Sequence, residues 1–318
     1  MNARLFAALA AVILLVAGCG GNDEKTPGTA GQLDKVNTGV IAIVDVAPIY
    51  LGKEKGFFRD RNIDLTLTTA QGGAAIVPAV IGGEYQFGFS NTVSLLLGAA
   101  KNLPIKVVSN GNNSTGADGK DFGSLFVRAD SPITSPRQLA GKTVAANTLK
   151  NIVETSVRAS VREDGGDPAA VRFTELAFPD QVPALQKGSV DAIFVVEPFQ
   201  QAAIAAGARR IASPYVDVAP DLTVAMYFTS QQLIAGNPDL VKRFTDAMKE
   251  SLAYADQHPD EVRGVLGTYT KIAPEVRSAL VLPKFPAEVN RASVETLADL
   301  AVTDHLLTAK PDLNALLP

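Results

Sequence analysis

The sequence predicts an α/β protein of two lobes with a cleft between them, carried behind an N-terminal export segment. Three observations lead there. Short β-branched runs alternate with helical stretches, the order that builds sheets with helices on their faces. The chain of 318 residues leaves a body long enough for two domains of ordinary size. The alternation falls into two sets, crossing to the second near Ser124 and returning near Leu222.

At the N-terminus Arg4 precedes an unbroken apolar stretch from Leu5 to Ala17, which runs into Leu15-Val16-Ala17-Gly18-Cys19. This is the layout of a secretory signal. The stretch is shorter than the about 20 residues a membrane-spanning helix needs, and no later stretch of that length lacks charge. Its last five residues resemble a bacterial lipobox, whose cysteine is acylated and becomes the first residue of the mature protein. Cys19 is the one cysteine in the chain, so no internal disulfide can form, and thioether lipidation accounts for the lone thiol. The alternatives are an ordinary secretory signal with an incidental cysteine, or an uncleaved anchor. Residues 1–18 are expected to be a lipoprotein signal peptide and residues 19–35, polar and glycine-rich, a flexible tether. The expected location is the extracytoplasmic face of the cell membrane, held there by acyl chains.

The chain is 47% hydrophobic and 19% charged, the composition of a folded globular protein. Basic residues number 29 and acidic residues 33, with no long run of one sign, so there is no basic footprint for nucleic acid.

The first strand is expected at Val40-Ile41-Ala42-Ile43-Val44, a β-branched run that reads as a central parallel strand. A helix from about Pro48 to Lys55 follows, then Leu65 to Thr68, a helix after Gly72-Gly73, the strand Phe87-Gly88-Phe89, a helix from Thr92 to Lys101 and the strand Ile105 to Val108. The second set runs Thr143-Val144-Ala145, a helix from about Lys150 to Glu163, Val171-Arg172-Phe173, a helix from Pro179 to Gln186, the strand Ala192 to Val196 and a helix from Pro198 to Ala206. Val153, Val157 and Val161 recur at helical spacing, which marks one buried face. Leu222 to Phe228 reads as a return strand, and Asn237-Pro238 caps a helix whose apolar positions keep a 3.6 period to Ala255. Residues 36–123 and 223–318 are expected to form lobe 1 with C-terminal helical cladding, and residues 124–222 lobe 2.

Ligands of open α/β sheets sit outside the carboxyl ends of the strands, where helix N-termini converge. That rule selects Asp45 and Tyr50, then Gly72, Gly73 and Ala74, then Ser90, Asn91 and Thr92 in lobe 1, with Asn147, Thr148, Asn151 and Glu197 in lobe 2. Each has a second explanation. Gly72 and Gly73 could expose backbone N–H groups to an anion, or serve a tight turn. Ser, Asn and Thr are also common N-caps. Glu197 and Asp45 could meet a cationic or donor group of a ligand, or cap helices. Lys150 is the only basic residue on these loops, so two carboxylates argue against a bare polyanion and for a ligand with an amino or N–H group.

Several segments together resemble the nitrate, sulfonate and taurine class of ABC substrate-binding proteins, whose wider family takes up thiamine-pyrimidine precursors. They are Ala47-Pro48-Ile49-Tyr50-Leu51-Gly52 with Glu54-Lys55-Gly56-Phe57-Phe58, Gly72-Gly73, Gly82 to Phe89, Leu139 to Ala145, Leu185 to Ala192 and Glu197-Pro198-Phe199. The resemblance implies a type II periplasmic-binding-protein fold, two Rossmann-like lobes joined by two crossover segments. It implies a small-molecule ligand between them, and a permease and ATPase as partners of a monomeric receptor. The same fold family includes synthases that use a histidine as a reactant. Here only His258 and His305 are present, both in the helical cladding, where a solvated histidine is the simpler reading. No catalytic residue, metal cluster or cofactor site is expected, and a lipoprotein that signals to a membrane sensor is the remaining alternative.

Overall fold

The computed structural model describes residues 33–318. The signal peptide, Cys19 and most of the tether lie outside the described residues. In chain order the first elements are β1 (Asp34–Val40), α1 (Ala47–Lys55), β2 (Ile63–Thr69), α2 (Gly73–Ile81), β3 (Phe87–Asn91), α3 (Thr92–Ala100) and β4 (Ile105–Asn113). Next come β5 (Gly123–Val127), β6 (Thr143–Ala146), α4 (Ile152–Glu163), β7 (Arg172–Glu175), α5 (Phe178–Gln186), β8 (Ala192–Val196), α6 (Phe199–Ala205), β9 (Arg209–Ala212) and α7 (Pro214–Val218). The chain returns through β10 (Thr223–Ser230) and ends in α8 (Gln231–Gly236), α9 (Pro238–Gln257), α10 (Pro259–Tyr269), α11 (Pro274–Arg277), α12 (Arg291–Thr303) and α13 (Leu313–Leu316).

The strands make two five-stranded sheets, ordered β2-β1-β3-β10-β4 and β7-β6-β8-β5-β9. Each is mixed: β1 runs parallel to β2 and β3, whereas β10 runs antiparallel to β3 and β4, and β5 antiparallel to β8 and β9. The central strands are the apolar ones, as burial on both faces requires. All five residues of β8 and all eight of β10 are buried.

Side-chain caps set several helix starts. Asn91 accepts from Ser94 N, Asn151 from Val153 N and Glu154 N, and Asn237 from Leu240 N ahead of Pro238; each such cap contributes about 1 kcal/mol. Val153, Val157 and Val161 are buried along one face of α4, as their spacing requires.

Three expectations are corrected, and one strand was not anticipated. The first strand lies earlier than Val40 to Val44: β1 ends at Val40, and Val44–Val46 form a 3-10 turn. Ile41, Ile43 and Val44 are buried without belonging to a ladder, so an apolar run identified burial and not strand. Asp34 and Lys35, taken as tether, already pair with Ile63 and Asp64. β4 continues past Val108 through Ser109, Asn110, Gly111, Asn112 and Asn113, all buried, because tertiary partners accept a polar strand end that propensity disfavours. The edge strand β9, Arg209–Ala212, carries no apolar alternation to announce it.

The crossings between the sheets, 114–122 and 213–222, are bonded to each other. Ser114 N donates to Leu222 O (2.8 Å) and Gly119 N to Ser213 Oγ (2.9 Å). At Gly116, φ +73°, a methyl group would stand 1.9 Å from Pro220 O, so only glycine fits. Buried Asp121 pins the first crossing by accepting from Ser114 Oγ, Thr115 N and Thr115 Oγ1.

Candidate functional site

The carboxyl ends of β1, β2 and β3 face those of β6, β7 and β8, and the two sets of loops are closed on one another. Val44 N donates to Glu197 O (3.0 Å), Ile152 N to Asn91 Oδ1 (3.3 Å) and Gln71 Nε2 to Asn147 O (3.4 Å). Between them remains a cavity of about 30 Å³. That is room for a water molecule or two, since one water needs roughly 10–15 Å³. Its lobe 1 wall includes Ile41, Ile43, Asp45, Phe89 and Asn91, and its lobe 2 wall includes Asn147, Asn151, Ile152, Phe178 and Tyr215.

Asp45 sits in the 3-10 turn after β1 and is 2% exposed. Its Oδ1 accepts from Asn112 Nδ2 (3.1 Å), while Oδ2 has no partner among the described residues. Burial pushes its pKa up to about 7, opposed by its own backbone N–H and Asn112 and reinforced by the charge of Asp121. An incompletely bonded carboxylate at the wall of a cavity is the arrangement that a ligand's N–H or cationic group would complete. No lysine, arginine or histidine lines the cavity among the described residues. Lys150, at φ 54°, is exposed.

Asn147 and Asn151 on the opposite wall form one network with Thr148, which does not itself line the cavity. Asn151 Nδ2 donates to Asn147 Oδ1 (2.9 Å) and Thr148 Oγ1 (3.0 Å), while its Oδ1 caps α4. Asn91 likewise caps α3 through Oδ1, and its Nδ2 donates to Ser94 Oγ (2.9 Å). Asn91 thus caps α3 and keeps one amide hydrogen uncommitted among the described residues, whereas both ends of the Asn151 amide are taken up by protein partners.

Other expected site residues are placed elsewhere. Thr92 Oγ1 donates to Thr223 O (2.7 Å), which ties α3 to β10. Ser90 is buried beneath α2, where a methyl on Gly73 would stand 2.0 Å from its Oγ. Gly73 thus serves close helix-on-strand packing. A methyl on Gly72 would stand 2.7 Å from Thr148 Cγ2, so that glycine sits where the lobes meet, and Ala74 faces solvent. Tyr50 stacks on Tyr269 (3.9 Å, 11°), whose hydroxyl donates to Ile43 O (3.0 Å); the pair braces the Asp45 loop from outside the cavity.

Glu197 is fully buried and does not line the cavity. Its Oε1 accepts from Gln200 Nε2 (3.1 Å), Gln201 Nε2 (2.8 Å) and Val281 N (3.1 Å), and its Oε2 from Gln201 N (3.3 Å). Burial raises its pKa and these donors oppose the rise. Pro198, not Glu197, holds the N-cap position of α6. The carboxylate instead joins the end of β8 to the segment that follows α11.

Sequence reasoning missed Asn112, Tyr215 and Phe178. The run Asn110-Gly111-Asn112-Asn113 after four strand-like residues was the available signal for Asn112, since a polar strand end buried in a domain needs partners. Nothing local marks Tyr215 or Phe178; the approach of α7 and of the start of α5 to the cleft brings them there.

A family model described as NMT1/THI5 like matches residues 43–262. The taurine-binding periplasmic protein of Escherichia coli (strain K12) is 22% identical over 289 residues, covering 84% of this chain and 87% of that protein. A 4-amino-5-hydroxymethyl-2-methylpyrimidine phosphate synthase of Candida albicans (strain WO-1) is 22% identical over 265 residues, 75% of this chain and 70% of that protein. The alkanesulfonate-binding protein SsuA from Xanthomonas axonopodis pv. citri, solved with MOPS bound, superposes with a TM-score of 0.75 at 16% identity, over 91% of this chain and 99% of that one. At that identity the likeness shows the fold, that of the periplasmic binding proteins.

Proposed function

Because the chain belongs to the NMT1/THI5-like family, whose model matches residues 43–262, we propose that it is the solute-binding component of an ABC importer. It captures a small polar organic solute between its lobes and passes it, unaltered, to a permease driven by an ATPase. The observation that carries this reading is the buried Asp45 carboxylate, with one oxygen unpartnered, at a cavity shut between two lobes. With no cation in the lining to answer a bare anion, the solute is one that offers an N–H or ammonium group, such as an aminosulfonate or an aminopyrimidine. Asn91, Asn147 and Tyr215 supply the remaining polar contacts, with Asn151 holding Asn147 in place. Acylated Cys19 holds the receptor, a monomer, at the extracytoplasmic face of the membrane, with the polar stretch before β1 as its tether.

Neither histidine is placed to act on a solute in the cleft. His258 stacks on Tyr254 in the cladding (3.8 Å, 7°), and His305 follows α12; neither lines the cavity.

The test is thermal unfolding of the secreted chain, kept unacylated by Cys19→Ser, against taurine, nitrate, methanesulfonate and aminopyrimidines. A ligand raises the midpoint with the logarithm of its excess. Expected is a selective shift that Asp45→Asn reduces; a shift equal in both proteins would remove Asp45 from the site, and no selective shift with any solute would remove this solute class.

A further inference from the structure

The segment that follows α11 is bonded to lobe 1 at one end and to lobe 2 at the other. At Lys284 it pairs with the end of β4: Asn113 N donates to Lys284 O (2.9 Å) and Lys284 N to Asn113 O (3.1 Å). Asn110 Nδ2 donates to Pro286 O (2.8 Å), which fixes the next residues to the same strand. Just upstream the partners change. Val281 N donates to Glu197 Oε1 (3.1 Å), and Gln201 Nε2 to Ala279 O (3.1 Å). Glu197 follows β8 and Gln201 lies on α6, both in lobe 2. Residues 279–286 are therefore a tie between the lobes, separate from the crossings 114–122 and 213–222.

The tie has a firm anchor in lobe 2. The buried Glu197 carboxylate is held there by Gln200 Nε2, Gln201 Nε2 and Gln201 N. Parting the lobes takes Val281 N away from a buried carboxylate, and a bond to an ionised acceptor contributes more than one between neutral groups. The side-chain contacts over the cavity are the weaker ones, Ile152 N to Asn91 Oδ1 at 3.3 Å and Gln71 Nε2 to Asn147 O at 3.4 Å. Both ends of the tie also adjoin the solute site. Asn113 follows Asn112, whose amide holds Asp45, and Val44, which precedes Asp45, donates to Glu197 O. An ion pair of Arg162 on α4 with Asp304, after α12, adds to closure from another part of the lobe boundary.

We propose that Glu197 and Gln201 are positioning residues that latch the lobes through the 279–286 tie, so that the protein without solute is already closed and its opening is governed by this latch. This rests on the solute-binding reading and assigns control of the cleft within it. Glu197 then serves the site without touching solute: its carboxylate holds the tie, and its backbone oxygen holds the turn that carries Asp45.

The experiment measures the distance between the lobes in the ligand-free Cys19→Ser chain. Spin labels are placed through Glu84→Cys, just after α2, and Ser189→Cys, just after α5, both exposed and both outside the cleft. Pulsed electron–electron double resonance then reads the distribution of separations. The labelled parent is expected to show one distance. Gln201→Ala, which removes one neutral bond between the lobes, should raise the ratio of parted to closed forms roughly two- to tenfold, and Glu197→Gln about tenfold. A second, longer distance should therefore appear, most clearly when the two substitutions are combined. The Arg162–Asp304 pair is intact in these variants, which therefore test the tie alone. A purely structural role would lower the unfolding midpoint and leave a single distance. The inference is overturned if the double variant keeps the parent's distribution, or if the longer distance already dominates in the parent. No solute enters the measurement, so its failure leaves the solute panel as it stands, and an empty panel leaves this result as it stands.

Discussion

Replacing Asp45 by asparagine removes a charge that the fold confines at 2% exposure while keeping the side chain's shape and its bond from Asn112. The carboxyl's pKa rises from an ordinary 3.8 to about 7, chiefly because burial penalises the ionised form. A group whose folded pKa is raised adds stability that is fully present below its unfolded pKa and is lost as pH rises through the folded one. The wild type should therefore lose stability between pH 5 and pH 8. With one pKa unit equivalent to about 1.4 kcal/mol, the loss assigned to Asp45 across that window is roughly 2–3 kcal/mol. For a body of this size that is roughly 3–5 °C in midpoint. The assay is urea unfolding of the ligand-free protein and its Asp45→Asn variant at both pH values. Asp121 and Glu197 are also raised and contribute slopes of the same sign, so the difference between the two proteins, not the wild-type slope alone, reports Asp45. The variant should be the more stable of the two at pH 8, with the gap closing toward pH 5. Parallel pH dependences in the two proteins would refute the reasoning, because the carboxyl would then titrate outside this window.

Two further outcomes follow from the closed cleft. Glu197→Gln places an amide N–H₂ among donors only, those of Gln200, Gln201 and Val281, and should cost about 1–3 kcal/mol in urea unfolding; unchanged stability would mean the carboxylate's bonds contribute nothing. Gly72→Cys combined with Thr148→Cys puts two thiols where a methyl on Gly72 already comes within 2.7 Å of Thr148 Cγ2. The oxidised double variant should fail to take up solute in calorimetry and regain it with reductant; uptake by the oxidised form would show that entry does not require the lobes to part.

What the sequence by itself determined was whatever rests on local chemistry. The alternating runs specified two α/β sets, because a buried strand or a one-sided helix must carry its apolar residues at a fixed period. Asn151 and Asn237 announced helix starts, because a cap needs only its own next turn. The cleft loops were legible for the same reason: strand ends and helix starts are local marks, and they led to Asp45, Asn91, Asn147 and Asn151, four residues that the fold brings to one cavity.

What only the tertiary structure decided was which neighbour each polar group meets. Asp45 and Asn112 are far apart in the chain and adjacent only because the 3-10 turn after β1 reaches the end of β4, two strands beyond β1's neighbour β3 in the sheet. Glu197 could have faced a ligand or a helix; the segment after α11 decided it by bringing Val281 N to the carboxylate. Gly73 could have bared N–H groups to an anion, and the approach of Ser90 decided it for packing. Pairing between distant segments has no local period, since it is set by how two sheets and their cladding close on one another, and so it could not be read before the fold was known.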